Sequence, residues 1–413
     1  MTDAAPHHAV ETPADRPTWR SLPRNVWILS LASFLRDVAS EMLTHLTPLY
    51  LANTLGARTA VIGAIEGLAE TLSSLLKIVA GWLSDRWGRR KPLTALGYGV
   101  AAAATPLLLV AETASGVGVS RWLDRTGKGI RTAPRDALIA DSVPPARRGA
   151  AFGLHRAADS AGAFVGLLMA IGLVWWHQRS AAALTAATFR TVVGWAVVPA
   201  ILAALVVAVG VRDVVRPPVR SALAGPPGAL DRPFRRLLVV MALFTLGNSS
   251  DAFLVLRAQS AGATVLEVLL MVALFNLVYA LSAGPVGALS DRVDRRRLIV
   301  AGWGFYALVY LGFGLADATW HFWLLYPGYA LYYAATEGVA KALVADLVPA
   351  AQRGTAYGAF NATIGLLALP ASVVAGILWQ GVGAWMGFGP AAPFLFGATL
   401  ALSAGLLMWK WVR

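Results

Sequence analysis

Three side chains that can exchange protons recur at helical spacing near the start of the chain. Asp37, Glu41 and His45 follow one another at intervals of four residues within an apolar segment, and Arg36 precedes them. Residues at this spacing lie on one face of an α-helix, and close acids bring one carboxyl towards the pH range in which it takes up and releases protons. The same side chains are also suitable ligands for divalent metals. Neutralisation of both acids by Arg36 and another base is the structural alternative.

A second charged segment lies farther along the chain. Arg121, Arg125, Lys128 and Arg135 recur on one helical face, and Asp124 stands among them. Arginine forms paired hydrogen bonds with carboxylate and phosphate groups, so this basic stripe predicts attraction of an anionic or zwitterionic ligand. Pairing with nearby acids of the protein is the alternative. We expect it to account for most of these charges and to leave one or two bases for a ligand.

The second half of the chain has fewer charges inside its apolar segments. Asp251 ends the polar run Asn248–Asp251, which we expect to interrupt a helix and to face the segment of Asp37. Glu337 precedes Lys341 by four residues, a spacing that favours an ion pair within one helix. Tyrosines and phenylalanines of this half are expected mainly to pack, and a few could line an apolar wall with hydroxyl groups.

The most informative pattern occurs twice. The stretch 81–91, GWLSDRWGRRK, returns as GALSDRVDRRR at 287–297, and the segment around Asp141 is echoed around Asp346. Each copy lies between long apolar segments, at the corresponding place in its half of the chain. The repeat therefore predicts two copies of one helical bundle.

The first copy resembles the signature loop between the second and third helices of the major facilitator superfamily, and the resemblance covers almost the whole chain. It implies a transporter whose halves enclose a central site. A buried Asp85 is expected to accept hydrogen bonds from a helix N-terminus, while Arg86 and Arg90 pair with acids such as Asp141. The resemblance also implies gating contacts that join the halves at the cytoplasmic face and stabilise the outward-open state, made by Asp85, Arg86, Arg90, Asp141, Asp291, Arg292, Arg296 and Asp346.

The composition is that of a membrane protein. Hydrophobic residues make up 57% of the chain and charged residues 14%, whereas soluble domains carry about a quarter charged residues. The net charge of +13 would suit nucleic-acid binding in a soluble protein, but the arginines cluster in alternate loops, as in membrane proteins. Nucleic acid is therefore not an expected partner. The absence of cysteine excludes disulfides and thiolate chemistry, and no motif predicts an enzyme, a resident metal or a cofactor.

Apolar segments of sufficient length predict an all-α membrane protein with twelve transmembrane helices in two pseudo-symmetric six-helix bundles. Residues 1–24 are predicted to form a disordered cytoplasmic tail, 25–211 the first bundle, 212–236 a cytoplasmic linker and 237–413 the second bundle. The basic loops place both termini in the cytoplasm and the protein in the cytoplasmic (inner) membrane. We expect a monomer. The helices are predicted at approximately 25–51, 59–84, 92–112, 115–140, 149–175, 190–211, 237–258, 264–290, 298–315, 320–347, 353–380 and 391–410.

These features predict a proton-coupled secondary transporter that moves a small organic solute, preferably anionic or zwitterionic, by alternating access. The first alternative is a divalent metal transporter using Asp37, Glu41 and His45, although the basic stripe opposes cation binding. The second is a drug–proton efflux pump, but such antiporters of the superfamily carry Gly-Pro where Gly166 and Leu167 stand. The expected substrate-binding or proton-coupling residues are Arg36, Asp37, Glu41, His45, Arg121, Asp124, Arg125, Lys128, Asp251, Glu337 and Lys341.

Overall fold

The computed structural model describes residues 22–144, 147–178, 181, 183–214, 231–290, 293–348 and 353–412. Within these ranges the regular structure is helical, and no β-strand occurs. Most of the predicted tail and most of the predicted linker lie outside the described residues. So do Asp291 and Arg292, two of the predicted gating residues.

Seven α-helices of the first half form six spans. The first span is α1 followed by α2, with His45 between them, and the last ends in a π-helical turn, Val206–Gly210. Gly88, at φ +63°, ends α3 in the left-handed conformation that glycine adopts most easily. The helices are α1 (Arg24–Thr44), α2 (Leu46–Asn53), α3 (Thr59–Trp87), α4 (Lys91–Leu107), α5 (Ala114–Asp141), α6 (Arg148–His177) and α7 (Ala186–Leu205).

Seven further helices of the described residues form the other six spans. The first of these spans consists of α8 and α9, separated by the predicted polar break at 248–251. All twelve spans begin and end within five residues of the predicted positions. The helices are α8 (Arg232–Gly247), α9 (Ala252–Ser260), α10 (Val265–Ser290), α11 (Arg295–Leu315), α12 (Thr319–Leu347), α13 (Arg353–Gln380) and α14 (Ala392–Trp411).

Eight of the twelve spans in the described residues are long and apolar enough to cross a membrane by length and composition alone. The other four spans have identifiable reasons for falling short. The first span and α5 contain the charged segments, α4 has 17 residues, and α12 is rich in tyrosine and tryptophan. The all-α, twelve-helix prediction is confirmed.

Glycines set the distance between two pairs of helices. In α3, a Cβ added at Gly63 would lie 2.2 Å from the carbonyl oxygen of Ser372 in α13. In α6, a Cβ at Gly162 or Gly166 would lie within 2.4 Å of a carbonyl oxygen of α1. Only glycine permits backbones to approach this closely, as in other membrane helix pairs. Gly162 and Gly166 therefore permit the close packing of α6 against α1.

A central cavity between the two halves

A cavity of about 520 Å³ lies between the two halves. Helices α1, α2, α3 and α5 line it from the first half, and α8, α9, α11, α12 and α13 from the second. Small-molecule sites typically have volumes of about 300–1,000 Å³, so the cavity can hold a small organic solute. The ionisable residues of its wall are His45, Glu66, Glu70, Arg121, Arg125, Asp251, Glu337 and Lys341.

Hydrogen bonds between α3 and α13 close one end of this cavity. The backbone N–H of Thr59 donates to Oε1 of Gln380 at 2.7 Å, and its hydroxyl donates to the carbonyl of Gly376 at 3.0 Å. Nearer the middle, the hydroxyl of Thr71 donates to the carbonyl of Gly365 at 2.6 Å. The closed end is the one opposite the loop 88–90 that follows α3. The cavity therefore faces the side of the basic loops.

A buried ion pair joins α3 to α5 in the wall of the cavity. Arg121 donates from Nε and Nη2 to the carboxylate of Glu66, at 3.0 and 2.9 Å. The two side chains are only 9% and 8% exposed. Arg121 is thus held by the protein itself, although it was a candidate for ligand binding.

Another ion pair, between Arg36 and Asp124, joins α1 to α5 beside a smaller pocket. Arg36 also donates to the hydroxyl of Thr105 at 3.3 Å. The guanidinium of Arg36 therefore turns towards α5 and is not the base beside Asp37 and Glu41, whereas neutralisation of these acids by another base stays an alternative.

Arg125 lines the cavity and forms no ion pair within 4 Å among the described residues, although its charge interacts with that of Glu70 on the same wall. Arg135, by contrast, donates to Asp136 and to the hydroxyl of Ser33, both at 2.9 Å. Lys128 lies on α5 outside the lining of the cavity. Two bases of the stripe, Arg121 and Arg135, are thus paired with acids of the protein, and Arg125 is the remaining one that lines the cavity.

The three residues Asp37, Glu41 and His45 occupy successive turns at the end of α1. The ring of His45 lines the cavity, and its Nε2 lies 3.6 Å from Oε2 of Glu41. Glu41 and Asp37 lie one and two turns before His45 in α1, outside the cavity lining. No group of three His, Asp or Glu side chains within the described ranges could hold a metal ion. The metal alternative therefore has no assembled site there.

A further buried pair was not among the candidate residues. His155 and Asp159 of α6 lie with Nε2 and Oδ1 3.7 Å apart, and the His155 side chain is only 5% exposed. Their spacing of four residues within an apolar segment was the signal that could have identified them.

The polar break between α8 and α9 forms much of the opposite wall. Asp251 accepts a hydrogen bond from the hydroxyl of Tyr329 at 2.9 Å. Asn248 accepts from the hydroxyls of Tyr306 and Tyr310 through Oδ1, at 3.3 and 3.4 Å. The cavity is lined by this break and by His45, so the two interrupted spans face each other as predicted.

Glu337 and Lys341 form the ion pair that their spacing predicts. Oε1 of Glu337 lies 3.3 Å from Nζ of Lys341, and its Oε2 accepts a hydrogen bond from Tyr279 at 2.9 Å. Both side chains are about half exposed and lie in the cavity wall.

The first signature loop is organised around Arg90. Its guanidinium donates to Asp141 at 2.7 Å and to Asp85 at 2.8 Å. Asp85 is 41% exposed, so the prediction that it is buried is wrong. Among the described residues it accepts from Arg90, and its contact with a helix N-terminus stays a prediction. At the start of α4, Oδ1 of Asp213 accepts from the backbone N–H groups of Arg90 and Lys91 at 3.1 and 3.2 Å.

The other loop residues are placed differently from the expectation. Arg86 lies over the ring of Trp82, with 5.7 Å between guanidinium carbon and ring centroid, rather than beside Asp141. In the second copy, Asp346 pairs with Arg295 at 2.5 Å. Arg296 donates to the carbonyl of Val412 and lies 3.5 Å from Asp294.

The model of the Major Facilitator Superfamily matches residues 29–256 and 236–413. An uncharacterized MFS-type transporter of Methanocaldococcus jannaschii is 34% identical over 399 residues, covering 94% of this chain and 95% of the relative. The multidrug resistance protein MdtH of Aeromonas hydrophila is 28% identical over 217 residues, 52% of each chain.

Among solved structures, the nucleoside transporter NupG superposes with a TM-score of 0.78 at 13% identity, covering 94% of this chain and 100% of that one. This likeness shows a shared fold. Together with the repeated loops and the central cavity, the family match identifies a membrane transporter of small molecules and not an enzyme. The chain belongs to the major facilitator superfamily.

Proposed function

We propose that this transporter couples the movement of a small organic solute, zwitterionic or anionic, to a proton gradient by alternating access. The supporting observation is Arg125, which lines the cavity and forms no ion pair within 4 Å in the described part of the chain, while its charge is shared with Glu70 on the same wall. A guanidinium in a low-dielectric cavity binds a carboxylate or phosphate through two parallel hydrogen bonds. Because Arg36, Arg121 and Arg135 are paired with acids within 4 Å, Arg125 is the arginine of the cavity wall that is placed to meet an acidic solute.

Proton coupling is assigned to the acidic face of α1. His45 borders the cavity, and Oε2 of Glu41 lies 3.6 Å from its Nε2. Asp37 lies one turn before Glu41 on the same face of α1. Ionisable groups within a span are costly, by about 2.5–3.5 kcal/mol each on insertion scales, and usually mark an ion or proton path. This face of α1 therefore provides three proton acceptors in a row, starting with His45 at the cavity and continuing through Glu41 to Asp37.

The proposal includes an orientation in the membrane. Basic loops lie on the cytoplasmic side of membrane proteins, so the cavity described here opens to the cytoplasm and both termini lie there. The membrane is the cytoplasmic (inner) one. Both walls of the cavity come from one chain, so a monomer is sufficient. In the outward-open state, the loop residues around Arg90 would join the two halves.

Proton flux in proteoliposomes tests this function. The purified protein is reconstituted with a pH-sensitive dye in the lumen, and organic acids, amino acids, sugars, cationic drugs and divalent metals are added outside. We expect an acidic or zwitterionic class to change the internal pH, and we expect Asp37→Asn and Glu41→Gln to abolish that change. Glu112→Gln is the matched control, since this acid is 76% exposed and pairs with Arg190 away from the cavity.

Two results would contradict the proposal. If both α1 variants retain solute-driven proton flux, the coupling groups lie elsewhere. If a divalent metal alone moves protons, the substrate class is wrong.

Drug–proton efflux is the second candidate. It is supported by the partial match to a relative named as a multidrug resistance protein and by the tyrosines of the cavity wall. The Leu167 that follows Gly166 departs from the Gly-Pro of drug antiporters. In the same assay, proton movement triggered by chemically unrelated cationic drugs would favour this candidate.

A further inference from the structure

The two walls of the cavity differ once internal ion pairs are set aside. On the first half, Glu66 is neutralised by Arg121 at 2.9 Å, and on the second, Glu337 is neutralised by Lys341 at 3.3 Å. His45 lies beside Glu41. In the described part of the chain, Glu70, Arg125 and Asp251 are the wall residues that have no ion pair within 4 Å, but Glu70 and Arg125 share one wall and their opposite charges interact.

Asp251 has the surroundings of a cation site. Its carboxylate lies at the α8–α9 break, and its hydrogen bond from the described residues comes from the neutral hydroxyl of Tyr329 at 2.9 Å. The ring of Tyr329 lies 5.6 Å from that of Tyr332 and 5.1 Å from that of Tyr333, between centroids. Tyr332 and Tyr333 both line the cavity. Aromatic faces attract cations, most strongly when the cation is desolvated.

The opposite wall complements this arrangement. Arg125 offers hydrogen-bond donors to an acid, whereas Asp251 and the tyrosines offer acceptors and ring faces to a cation. A solute with an acidic group alone would bring no cation to the carboxylate of Asp251, whose basic neighbour in the cavity wall is His45, at an energetic cost. A solute with both charges matches both walls.

We propose that the second half binds an ammonium group of the solute, between the carboxylate of Asp251 and the rings of Tyr332 and Tyr333, while Arg125 binds its acidic group. This assignment rests on the proposed transport function and narrows the solute to a small zwitterion with a primary or substituted ammonium group. The first half then recognises the acid and the second half recognises the base.

Three compounds that share one skeleton test the assignment. Phenylalanine carries both charges, phenethylamine only the ammonium group, and 3-phenylpropionate only the carboxylate. Their binding to the purified full-length protein is measured by isothermal titration calorimetry at millimolar concentration, without a membrane or a gradient. The variants are Asp251→Asn, which retains an oxygen for the hydroxyl of Tyr329, and Arg125→Gln.

We expect phenylalanine to bind most tightly and 3-phenylpropionate most weakly. Asp251→Asn should weaken phenylalanine and phenethylamine about tenfold or more, the effect of losing one charge-assisted hydrogen bond, and should leave 3-phenylpropionate unchanged. Arg125→Gln should weaken phenylalanine and 3-phenylpropionate but not phenethylamine.

Glu70→Gln is the matched comparison on the first half. If Glu70→Gln weakens the binding of phenethylamine while Asp251→Asn does not, the ammonium group is bound by the first half and the assignment fails. Failure of the wild-type protein to bind any of the three compounds would also overturn it. Because the titration requires no proton gradient, this proposal can fail while solute-driven proton flux succeeds, and the reverse outcome is equally distinguishable.

Discussion

The close contact between α3 and α13 predicts that one added methyl group will change which side of the membrane the cavity faces. A Cβ at Gly376 would lie 2.4 Å from the Cα of Ala60 and 2.5 Å from the carbonyl oxygen of Thr59. These are backbone atoms, so no side-chain rotation can make room. Gly376→Ala should therefore separate α13 from α3 at the closed end and favour the state in which that end is open.

The size of the effect follows from the cost of overpacking. Inserting a methylene into a well-packed region typically costs about 1–3 kcal/mol. That energy applies only to the state in which α3 and α13 touch, so the equilibrium between the two states should shift by roughly 5-fold to 150-fold. A protein that is mainly closed at this end would then have a measurable fraction of molecules in the state that is open there.

Distance measurements between spin labels can follow this shift. The chain has no cysteine, so Arg89→Cys and Arg297→Cys can be labelled specifically. Both side chains are exposed at the side of the basic loops, one in each half. Double electron–electron resonance should show a shorter distance in Gly376→Ala, because opening one end of a rocking transporter closes the other.

Gly358→Ala is the control for this substitution. Gly358 lies in the same helix, and a Cβ there meets no atom within 4 Å. It should leave the distance distribution unchanged. An unchanged distribution in Gly376→Ala as well would refute the argument that backbone contact between α3 and α13 maintains the closed end.

Two further predictions concern charged groups. Glu66→Gln leaves Arg121 buried without its counter-ion, so the free energy of unfolding should fall by about 3–5 kcal/mol; thermal unfolding in detergent measures this, and a loss no larger than that of the exposed-pair variant Glu112→Gln would contradict it. Asp85→Asn should remove a contact that stabilises the outward-open state. A cysteine introduced into the cavity should then react faster with a labelling reagent that is added on the side of the basic loops. Equal labelling of the two proteins would count against this gating role.

The helices were predictable because the information that defines them is local. Apolar runs of about 20 residues bounded by Gly, Pro and Arg are required by the thickness of the membrane, and the resulting ends lie within five residues of the predicted ones. The polar break before Ala252 was equally predictable, since four polar residues interrupt an apolar run.

Partners across helices were less predictable, because they depend on how each helix is rotated about its axis. Arg36 pairs with Asp124 of α5, not with an acid of its own helix. Asp213, which caps α4, is separated from Arg90 by 123 positions in the chain. No spacing rule connects residues so distant in sequence.

The two signature loops show that corresponding residues of a repeated motif can lie at different distances from the start of the following helix. Helix α4 begins at Lys91, whereas α11 begins at Arg295, which corresponds to Arg89 in the first copy. Asp294 occupies the place of Gly88 and accepts from the backbone N–H of Arg296 at 2.8 Å. The earlier start of α11 explains why Arg295, rather than Arg296, pairs with the acid of the second copy.

The unequal chemistry of the two walls has a consequence for how such a protein can evolve. The first half depends on buried ion pairs, in which replacing one member leaves the other uncompensated, so changes there must occur together. The aromatic side chains of α11 and α12 can be exchanged one at a time, since a ring of similar volume costs little. A new solute preference can therefore arise by single steps in the second half, while the first half preserves its charged framework.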